Sequence, residues 1–154
     1  MLQDYNIVIA DASCFILLDK INEFAFLQKL FTTVATTQDI ADEYGKELPN
    51  WIEIKQVKDY QYQLLLQLEV DSGEASAIAL CMEQSQPLLI ADDGKARKLA
   101  TKLNLKLIGT FGVIVAAKQA GAIASVKPII EKIRMTNFRY SEKIFNEILM
   151  LAGE

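Results

Sequence analysis

The 154-residue sequence contains no histidine, and this absence excludes more chemistry than any residue that is present. Histidine is the usual carrier of protons at neutral pH and the commonest protein metal ligand. Catalysis that depends on imidazole is therefore excluded, and zinc sites that need histidine cannot be completed. Chemistry carried out by carboxylates with a hard cation is left open.

Cysteine is also scarce, and long apolar runs are absent. Cys14 and Cys81 each lie in an apolar stretch, which favours reduced core residues of a cytosolic protein over a disulfide. No apolar run approaches the ~20 residues that a membrane-spanning helix needs. Residues 1–4 carry acid rather than base, unlike a secretory signal. We therefore expect a cytoplasmic protein with no membrane segment.

Composition and charge set the size and the partners that are allowed. With 51% apolar and 23% charged residues, the chain fits a single domain over residues 1–154, including the C-terminal helices at about 111–151. The net charge of −4 argues against non-specific binding to nucleic acid. A cluster of metal-binding carboxylates would give the same balance, so the positions of the charges must decide.

Short apolar runs that predict strands alternate with segments of helical periodicity. The predicted strands are residues 5–10, 31–36, 51–57, 88–91 and 106–109. The predicted helices are residues 13–20, 22–30, 38–44, 59–68, 75–83, 95–104, 111–119, 126–135 and 141–151. This alternation indicates an α/β fold with a mostly parallel sheet of about four to five strands and helices on both faces.

Acidic residues follow two of the predicted strands directly. Asp11 follows residues 5–10, and the pair Asp92 and Asp93 follows residues 88–91. Ligands of parallel sheets bind at the carboxyl ends of the strands, so both junctions could face one crevice. Each acid could equally cap the helix that comes next.

Two further acids have ordinary structural explanations beside a functional one. Glu74 lies in the first turn of a helix rich in small residues, where the helix dipole favours an acid by ~0.3–1 kcal/mol. Glu43 shares its helix with Asp39, Asp42 and Glu47, which a solvated acidic face would explain. Residue types alone do not single out Glu43.

The acids together suggest more than any one of them. Carboxylates crowded at one edge raise each other's pKa values unless a cation joins them. Mg²⁺ or Mn²⁺ suits oxygen ligands and is often completed by water and a substrate phosphate. Such an ion lowers the pKa of a bound water, and a second ion ~3.5–4 Å away stabilises the leaving oxygen. Hydrolysis of a phosphodiester needs these functions and no histidine.

Four segments, in this order, resemble motifs of the PIN-domain family, in a subgroup related to bacterial VapC toxins. They are residues 8–13, with Asp followed two residues later by Ser; residues 71–79; residues 89–97, a "DD…R" element; and residues 105–114, with its IGT-hydrophobic-G stretch. The resemblance covers essentially the whole chain. It implies a PIN-like three-layer sandwich and a metal-dependent ribonuclease. Such proteins are usually the toxin of a toxin–antitoxin pair and commonly form homodimers.

The resemblance also assigns roles by position. The catalytic acids would be Asp11, Glu43, Glu74, Asp92 and Asp93. All but Glu43 are candidate ligands of Mg²⁺ or Mn²⁺, and Ser13 would orient Asp11 by hydrogen bonding. Which of Asp92 and Asp93 points inward is left open.

One departure from the subgroup pattern bears on activity. Members often carry a second Glu in a Gly-Glu-Ala-Glu segment, and Ser76 occupies that place here. Losing one carboxylate would weaken metal affinity, or would be neutral if that residue only supports the site. A catalytically weak PIN-fold module that binds RNA or protein is therefore the alternative function.

Basic residues follow the Asp92–Asp93 pair. Lys95, Lys98 and Lys102 share one helical face, which predicts either a solvated surface or a patch that holds RNA phosphates. Arg97 belongs to the same candidate RNA-binding set, but it lies off that stripe and could instead pair with an acid of the site.

The apolar residues of the C-terminal segments have a structural and a functional interpretation. Apolar residues between Ile129 and Leu149 indicate mainly packing, with part left for a homodimer surface or a groove for an antitoxin helix.

Two other protein classes fit the sequence poorly. A phosphatase of the haloacid-dehalogenase type would need a second Asp where Ser13 stands. A receiver domain would need a phosphoacceptor Asp after its middle strand, and none is evident.

Overall fold

The computed structural model describes residues 2–154 and contains a five-stranded sheet in which every pairing is parallel. The strands are β1 (Ile7–Ala10), β2 (Val34–Thr36), β3 (Ile52–Ile54), β4 (Pro87–Ile90) and β5 (Lys106–Ile108). Their order across the sheet is β3-β2-β1-β4-β5. The predicted α/β sandwich is confirmed, and the 51–57 segment contains the expected edge strand.

Helices connect the strands and follow the last one. They are α1 (Ala12–Lys20), α2 (Ala25–Leu30), α3 (Gln38–Tyr44), α4 (Tyr60–Leu66), α5 (Ser72–Met82), α6 (Gly94–Lys102), α7 (Thr110–Gln119), α8 (Lys127–Arg134) and α9 (Glu142–Leu151). A single 3₁₀ turn, Leu2–Asp4, precedes β1. None of the helices within residues 2–154 is long and apolar enough to cross a bilayer.

The centre of the molecule is formed by β1 and by helix α5. All four residues of β1 are buried, because the strand lies in mid-sheet with neighbours on both edges. Helix α5 is buried from Ala75 to Cys81, and it contacts α3, α4, β1 and β4. Its small side chains allow this close approach, which agrees with the central position predicted for it.

Side-chain caps fix the points at which loops become helices. Asp11 accepts the first N-cap hydrogen bond of α1, Thr37 that of α3, and Asp93 that of α6. Gly45 ends α3 with φ at 77°, a conformation that favours glycine. The capping interpretation of Asp11 and Asp93 is therefore correct, and it coexists with the electrostatic role described below.

The cysteines and one face of the C-terminal helices contribute to the core. Cys14 and Cys81 are both free and buried, as predicted. In the C-terminal segments, most of the apolar side chains are buried, notably Ile129, Ile130, Ile133, Phe145 and Ile148. The expectation that this region serves mainly packing is confirmed.

Candidate active site

The carboxyl ends of β1 and β4 bring the two predicted acidic junctions together. The two strands are neighbours in parallel register, with Ala10 opposite Ile90. Asp11 is the next residue after β1, and Asp92 lies one residue further beyond β4. The backbone N–H of Asp92 donates to Oδ2 of Asp11 over 3.2 Å. The sheet thus joins residues that are 81 positions apart in the chain.

Asp11 is a buried acid held by backbone groups. Asp11 is only 4% exposed. Oδ1 accepts from the N–H of Cys14 over 2.9 Å, while Oδ2 accepts from Asp92. Both carboxylate oxygens are thereby oriented before any ligand arrives.

The surroundings of Asp11 nevertheless disfavour its charge. Burial, followed by the negative charge of Asp92 and a smaller effect of Glu43, raises the pKa of Asp11 to about 7. The two backbone hydrogen bonds act in the opposite direction but do not compensate. A carboxyl group with this pKa is half protonated near neutrality, which is typical of functional sites.

Asp92 is oriented by the residue that begins helix α7. The backbone N–H of Thr110 donates to Asp92 Oδ1 over 2.8 Å, and the Thr110 hydroxyl donates to Oδ2 over 2.6 Å. Thr110 itself is 1% exposed. Sequence reasoning missed this residue, although the IGT stretch places a hydroxyl at the end of β5 and offered the signal.

Asp93 and Glu74 form the second half of the acidic group. Asp93 Oδ2 accepts from the N–H of Ala96, in the first turn of α6. Burial and then the charges of Asp71, Asp93 and Asp11 raise the pKa of Glu74 to about 8, and a hydrogen bond with Asp93 adds to the effect. Asp92 therefore lies beside Asp11, whereas Asp93 lies beside Glu74, so both members of the pair face the acidic group.

Asp71 is a further acid near the carboxyl edge of the sheet. From the sequence it was interpreted only as part of the segment that begins a helix. It caps α5 by accepting the N–H of Glu74 over 2.9 Å. Its charge raises the pKa of Glu74 and, after burial, that of Glu43. The signal was available in the Asp-Ser-Gly-Glu segment, in which an exposed N-cap acid stands three residues from Glu74.

Glu43 reaches the acidic group from helix α3. A β-carbon at Gly73 would lie 3.0 Å from Glu43 Oε2, so the Glu43 carboxylate rests against the first turn of α5 where no side chain intervenes. The electrostatic influence of Glu43 on Asp11 agrees with this position. The neighbouring Asp39 and Asp42 form their hydrogen bonds elsewhere, with Gln63 and Gln38 respectively.

The two serines singled out from the sequence give the acidic group neither a hydrogen bond nor a charge within residues 2–154. Ser13 is exposed on α1, and no hydrogen bond links it to Asp11 in residues 2–154, because backbone N–H groups already orient that carboxylate. Ser76 is 1% exposed. Its hydroxyl donates to the Gly73 carbonyl over 2.7 Å and lies 2.6 Å from the Thr37 hydroxyl. Ser76 thus joins α5 to the end of β2 and contributes no charge.

A family model described as a PIN domain matches residues 7–154. The chain belongs to the PIN-domain family. No curated protein matches the chain significantly. PIN domains are typically nucleases, so membership of this family supports a hydrolase in general terms.

The acids of this PIN domain are coupled electrostatically but do not form a closed metal cage. Within residues 2–154, no three Asp, Glu or Cys side chains converge tightly enough to hold an ion by themselves. Asp11 and Asp92 are neighbours at this edge, because the Asp92 backbone N–H donates to the Asp11 carboxylate and the Asp92 charge raises the pKa of Asp11. A cation here would need water or substrate oxygens to complete its shell.

The basic residues of the PIN domain divide into two groups. Lys95 lines a cleft of about 400 Å³ together with Asp71, Glu74 and Asp93. Arg97, Lys98 and Lys102 border a separate shallow depression. The three lysines lie on α6 at the spacing that places them on one face, and Lys95 is the member that lines the acidic cleft.

Within the part of the chain that the structure describes, Arg97 does not pair with an acid, which was one of the two roles that the sequence suggested for it. Its Nη1 donates to the Ala91 carbonyl over 2.8 Å, and it forms no ion pair among residues 2–154. A β-carbon at Gly109 would lie 3.2 Å from both Arg97 Nη1 and Asp92 Oδ1. Arg97 therefore fixes the backbone just before Asp92, beside the acid rather than bonded to it.

Proposed function

We propose that this PIN domain is a metal-dependent endoribonuclease of the VapC-like subgroup, which hydrolyses RNA phosphodiester bonds in the cytoplasm as the toxin of a toxin–antitoxin pair. The observation that carries the proposal is the pairing of buried Asp11 with Asp92 at the carboxyl edge of the sheet. Burial and the neighbouring charge raise the pKa of Asp11 to about 7. A bound cation would relieve this repulsion and restore the charged form.

The donor set fits Mg²⁺ or Mn²⁺. Every candidate ligand (Asp11, Glu74, Asp92 and Asp93) offers carboxylate oxygens, and residues 2–154 offer no imidazole there. Mg²⁺ usually keeps several waters and is bound by one or two carboxylates plus substrate phosphate, so a pair such as Asp11 and Asp92 is sufficient. When bound, the ion supplies an activated water and stabilises the leaving oxygen.

The protein side chains prepare this chemistry. Asp11 is held by two backbone N–H groups, and Asp92 is held by Thr110, so neither carboxylate has to be ordered during the reaction. Glu74 shares a hydrogen bond with Asp93, and its pKa near 8 leaves it protonated at neutral pH without a cation. Glu43 adds negative charge from α3 and would support the same cation from further away.

Basic side chains beside the acids would hold the RNA backbone. Lys95 lines the acidic cleft itself, where an ammonium can pair with a phosphate that approaches the cation. Lys98, Lys102 and Arg97 extend this positive charge along α6. Phosphate contacts of this kind give affinity without sequence preference.

Protein partners are also part of the proposal. Leu65 and Leu68, on and just after α4, are 64% and 82% exposed, and such apolar side chains support contact with another protein. A second copy of the chain and an antitoxin helix are the two partners that the family resemblance implies.

A catalytically weak binding module is the second candidate, and Ser76 is the observation that favours it. The hydroxyl of Ser76 is used internally, so the carboxylate often found at this place has no substitute. In that case the same edge would bind RNA or protein without efficient hydrolysis.

Cleavage of RNA by the purified protein separates the two candidates. We expect cleavage in Mg²⁺ or Mn²⁺, none in EDTA, and none by Asp11→Asn. Asparagine can still cap α1, so the variant should fold, which circular dichroism and thermal unfolding would verify. If the wild-type protein binds a broad panel of RNAs but cleaves none of them, the binding module is the better description.

A further inference from the structure

A second opening lies at the same carboxyl edge of the sheet, at the ends of β2 and β3. We call it the glutamine pocket; it has a volume of about 450 Å³, and the lining residues that matter here are Thr37, Asp39, Lys55, Tyr60, Gln63 and Ser76. Thr37 follows β2, which pairs with β1, the strand that ends at Asp11. On α5, Ser76 and Glu74 are two residues apart and point to nearly opposite sides of the helix. What the pocket shares with the acids is therefore the carboxyl edge of the neighbouring strands β1 and β2.

The floor of the pocket contains a buried acceptor without a donor. Gln63 is 3% exposed, and its Nε2 donates to Asp39 Oδ2 over 3.0 Å and to Gln67 Oε1 over 3.1 Å. Because a carboxylate only accepts, the amide NH₂ must face Asp39, and both of its hydrogens are used. No donor within residues 2–154 reaches Gln63 Oε1. Every fully buried side-chain oxygen in this part of the chain has a hydrogen-bond partner, so Oε1 is not fully buried. The opening that Gln63 lines is this pocket.

The hydroxyl groups of the pocket cannot supply that donor. Ser76 donates its hydrogen to the Gly73 carbonyl, so the short contact with Thr37 requires Thr37 to be the donor. Both hydroxyl hydrogens are then engaged inside the protein. With the Asp39 carboxylate beside Gln63, the wall presents acceptors and favours a ligand with several N–H groups.

The rim adds a cation and an aromatic ring. Lys55 lies on the pocket wall, with Nζ 3.6 Å from the exposed Glu53 carboxylate, too long for a strong hydrogen bond. Tyr60 also lines the pocket and is 58% exposed, so its ring is accessible to a ligand there. Stacking on an aromatic ring is how proteins hold unpaired bases.

We propose that the glutamine pocket binds an unpaired guanine of the RNA, a substrate specificity that rests on the proposed function of the neighbouring acids. The Watson–Crick edge of guanine carries two adjacent donors, N1–H and N2–H₂, which suit Asp39 and Gln63 Oε1. Its O6 acceptor suits Lys55, and its ring suits Tyr60. Adenine and cytosine each offer a single donor group on this edge and match the wall less well.

Binding measured without cleavage tests this assignment. In the Asp11→Asn background, fluorescence anisotropy would compare uridine-rich RNA oligonucleotides that carry one central guanosine, adenosine, cytidine or inosine. We expect guanosine to bind about fivefold or more tighter than adenosine or cytidine. Inosine, which lacks the N2 amine, should fall between them.

Matched variants distinguish the pocket from general electrostatics. Asp39→Asn should bring the guanosine-to-adenosine ratio close to one, whereas Asp42→Asn removes the same charge from the exposed side of α3 and should preserve it. Tyr60→Ala should weaken binding of every oligonucleotide, and Tyr60→Phe should not. Equal affinities for guanosine and adenosine, or identical effects of the two Asp variants, would overturn the proposal.

Two further measurements separate this proposal from its foundation. Cleavage of all four oligonucleotides by the wild-type protein at equal rates would refute the pocket and leave the nuclease intact. Selective binding of guanosine without cleavage would support the pocket and refute the nuclease. Free guanosine monophosphate that binds more tightly than the guanosine oligonucleotide would show a nucleotide site instead of an RNA site, and would overturn the proposal.

Discussion

Asp11 combines two demands that conflict energetically. As an N-cap it stabilises α1, and as a buried acid beside Asp92 it resists ionisation. The hydrogen bonds that orient it do not cancel the effect of burial. Burial and the charge of Asp92 destabilise the ionised form of Asp11. We therefore expect this carboxylate to bind a positively charged ligand.

This conflict predicts that the metal-free protein loses stability as pH rises. The carboxyl of Asp11 has a pKa raised from 3.8 to about 7 in the folded state. The folded state therefore retains a proton that the unfolded chain has released. The stabilisation is fully present below pH 4 and disappears as pH passes through 7, a change of about 4 kcal/mol from this group alone. Glu74, with its pKa near 8, acts in the same direction.

Urea unfolding in EDTA at pH 5 and pH 8 would measure this effect. Asp11→Asn should flatten the profile, and Mn²⁺ should restore stability at pH 8 more than at pH 5. A free energy of unfolding that rises from pH 5 to pH 8 in EDTA would contradict the electrostatic account.

Thr110→Val tests how Asp92 is oriented. The change removes the hydroxyl donor to Asp92 Oδ2 but keeps the shape of the side chain and the backbone donor to Oδ1. We expect about a tenfold fall in kcat with a loss of stability on the order of 1 kcal/mol. Thr101→Val, which removes an exposed hydroxyl bonded to the Arg97 carbonyl, is the control and should leave kcat unchanged.

At the scale of elements, the sequence predicted the alternation of strands and helices well, because buried strands and helix periodicity leave clear patterns. The ends of elements were less predictable. Residues 31–36 were predicted to form a strand throughout, but β2 starts only at Val34; Phe31 is extended and caps α2 with its N–H bonded to the Leu27 carbonyl. Tertiary packing of α2 decides that boundary.

The candidate site was predictable in part for a similar reason. Acids directly after strands announce the carboxyl edge, so Asp11 and Asp92 could be found from pattern alone. Glu43 required the family resemblance, since its placement depends on how α3 packs against Gly73. Thr110 and Asp71 act through contacts between distant segments, and their types and spacing resemble ordinary caps.

Packing of α7 against β5 gives a prediction at this scale. A β-carbon at Gly112 would lie 2.6 Å from Ile108 Cγ1, which requires a shift of the helix or strand. We expect Gly112→Ala to destabilise the protein by about 1–2 kcal/mol, after allowing for the better helix propensity of alanine. Gly94→Ala, where no atom lies within 4 Å, is the matched control. Equal unfolding midpoints for the two variants would show that α7 tolerates the added methyl group.

At the scale of the whole molecule, the net charge of −4 makes the location of positive charge decisive for RNA binding. The acidic groups at the sheet edge would repel RNA phosphates. A bound cation and the lysines of α6 are needed to offset this repulsion. The acidic total is therefore compatible with a nuclease whose binding is local.

The salt dependence of RNA binding tests this local contact. In the Asp11→Asn background, replacing both Lys98 and Lys102 with Ala should reduce the slope of log affinity against log salt by about 1.4, from ~0.7 for each single-strand phosphate contact. Lys127 and Lys143 to Ala, exposed positions on the C-terminal helices, form the control pair. An unchanged slope for the α6 variant would place the RNA elsewhere.

The central claim is that the paired acids at the ends of β1 and β4 hold the cation that cleaves RNA. The most direct test is the rate of RNA cleavage as Mn²⁺ is titrated into the wild-type protein, Asp11→Asn and the control Asp42→Asn. We predict saturable cleavage by the wild type and the control, and a rate lower by about 100-fold or more for Asp11→Asn at every Mn²⁺ concentration. Cleavage by Asp11→Asn at the wild-type rate, or cleavage that persists in EDTA, would contradict the account.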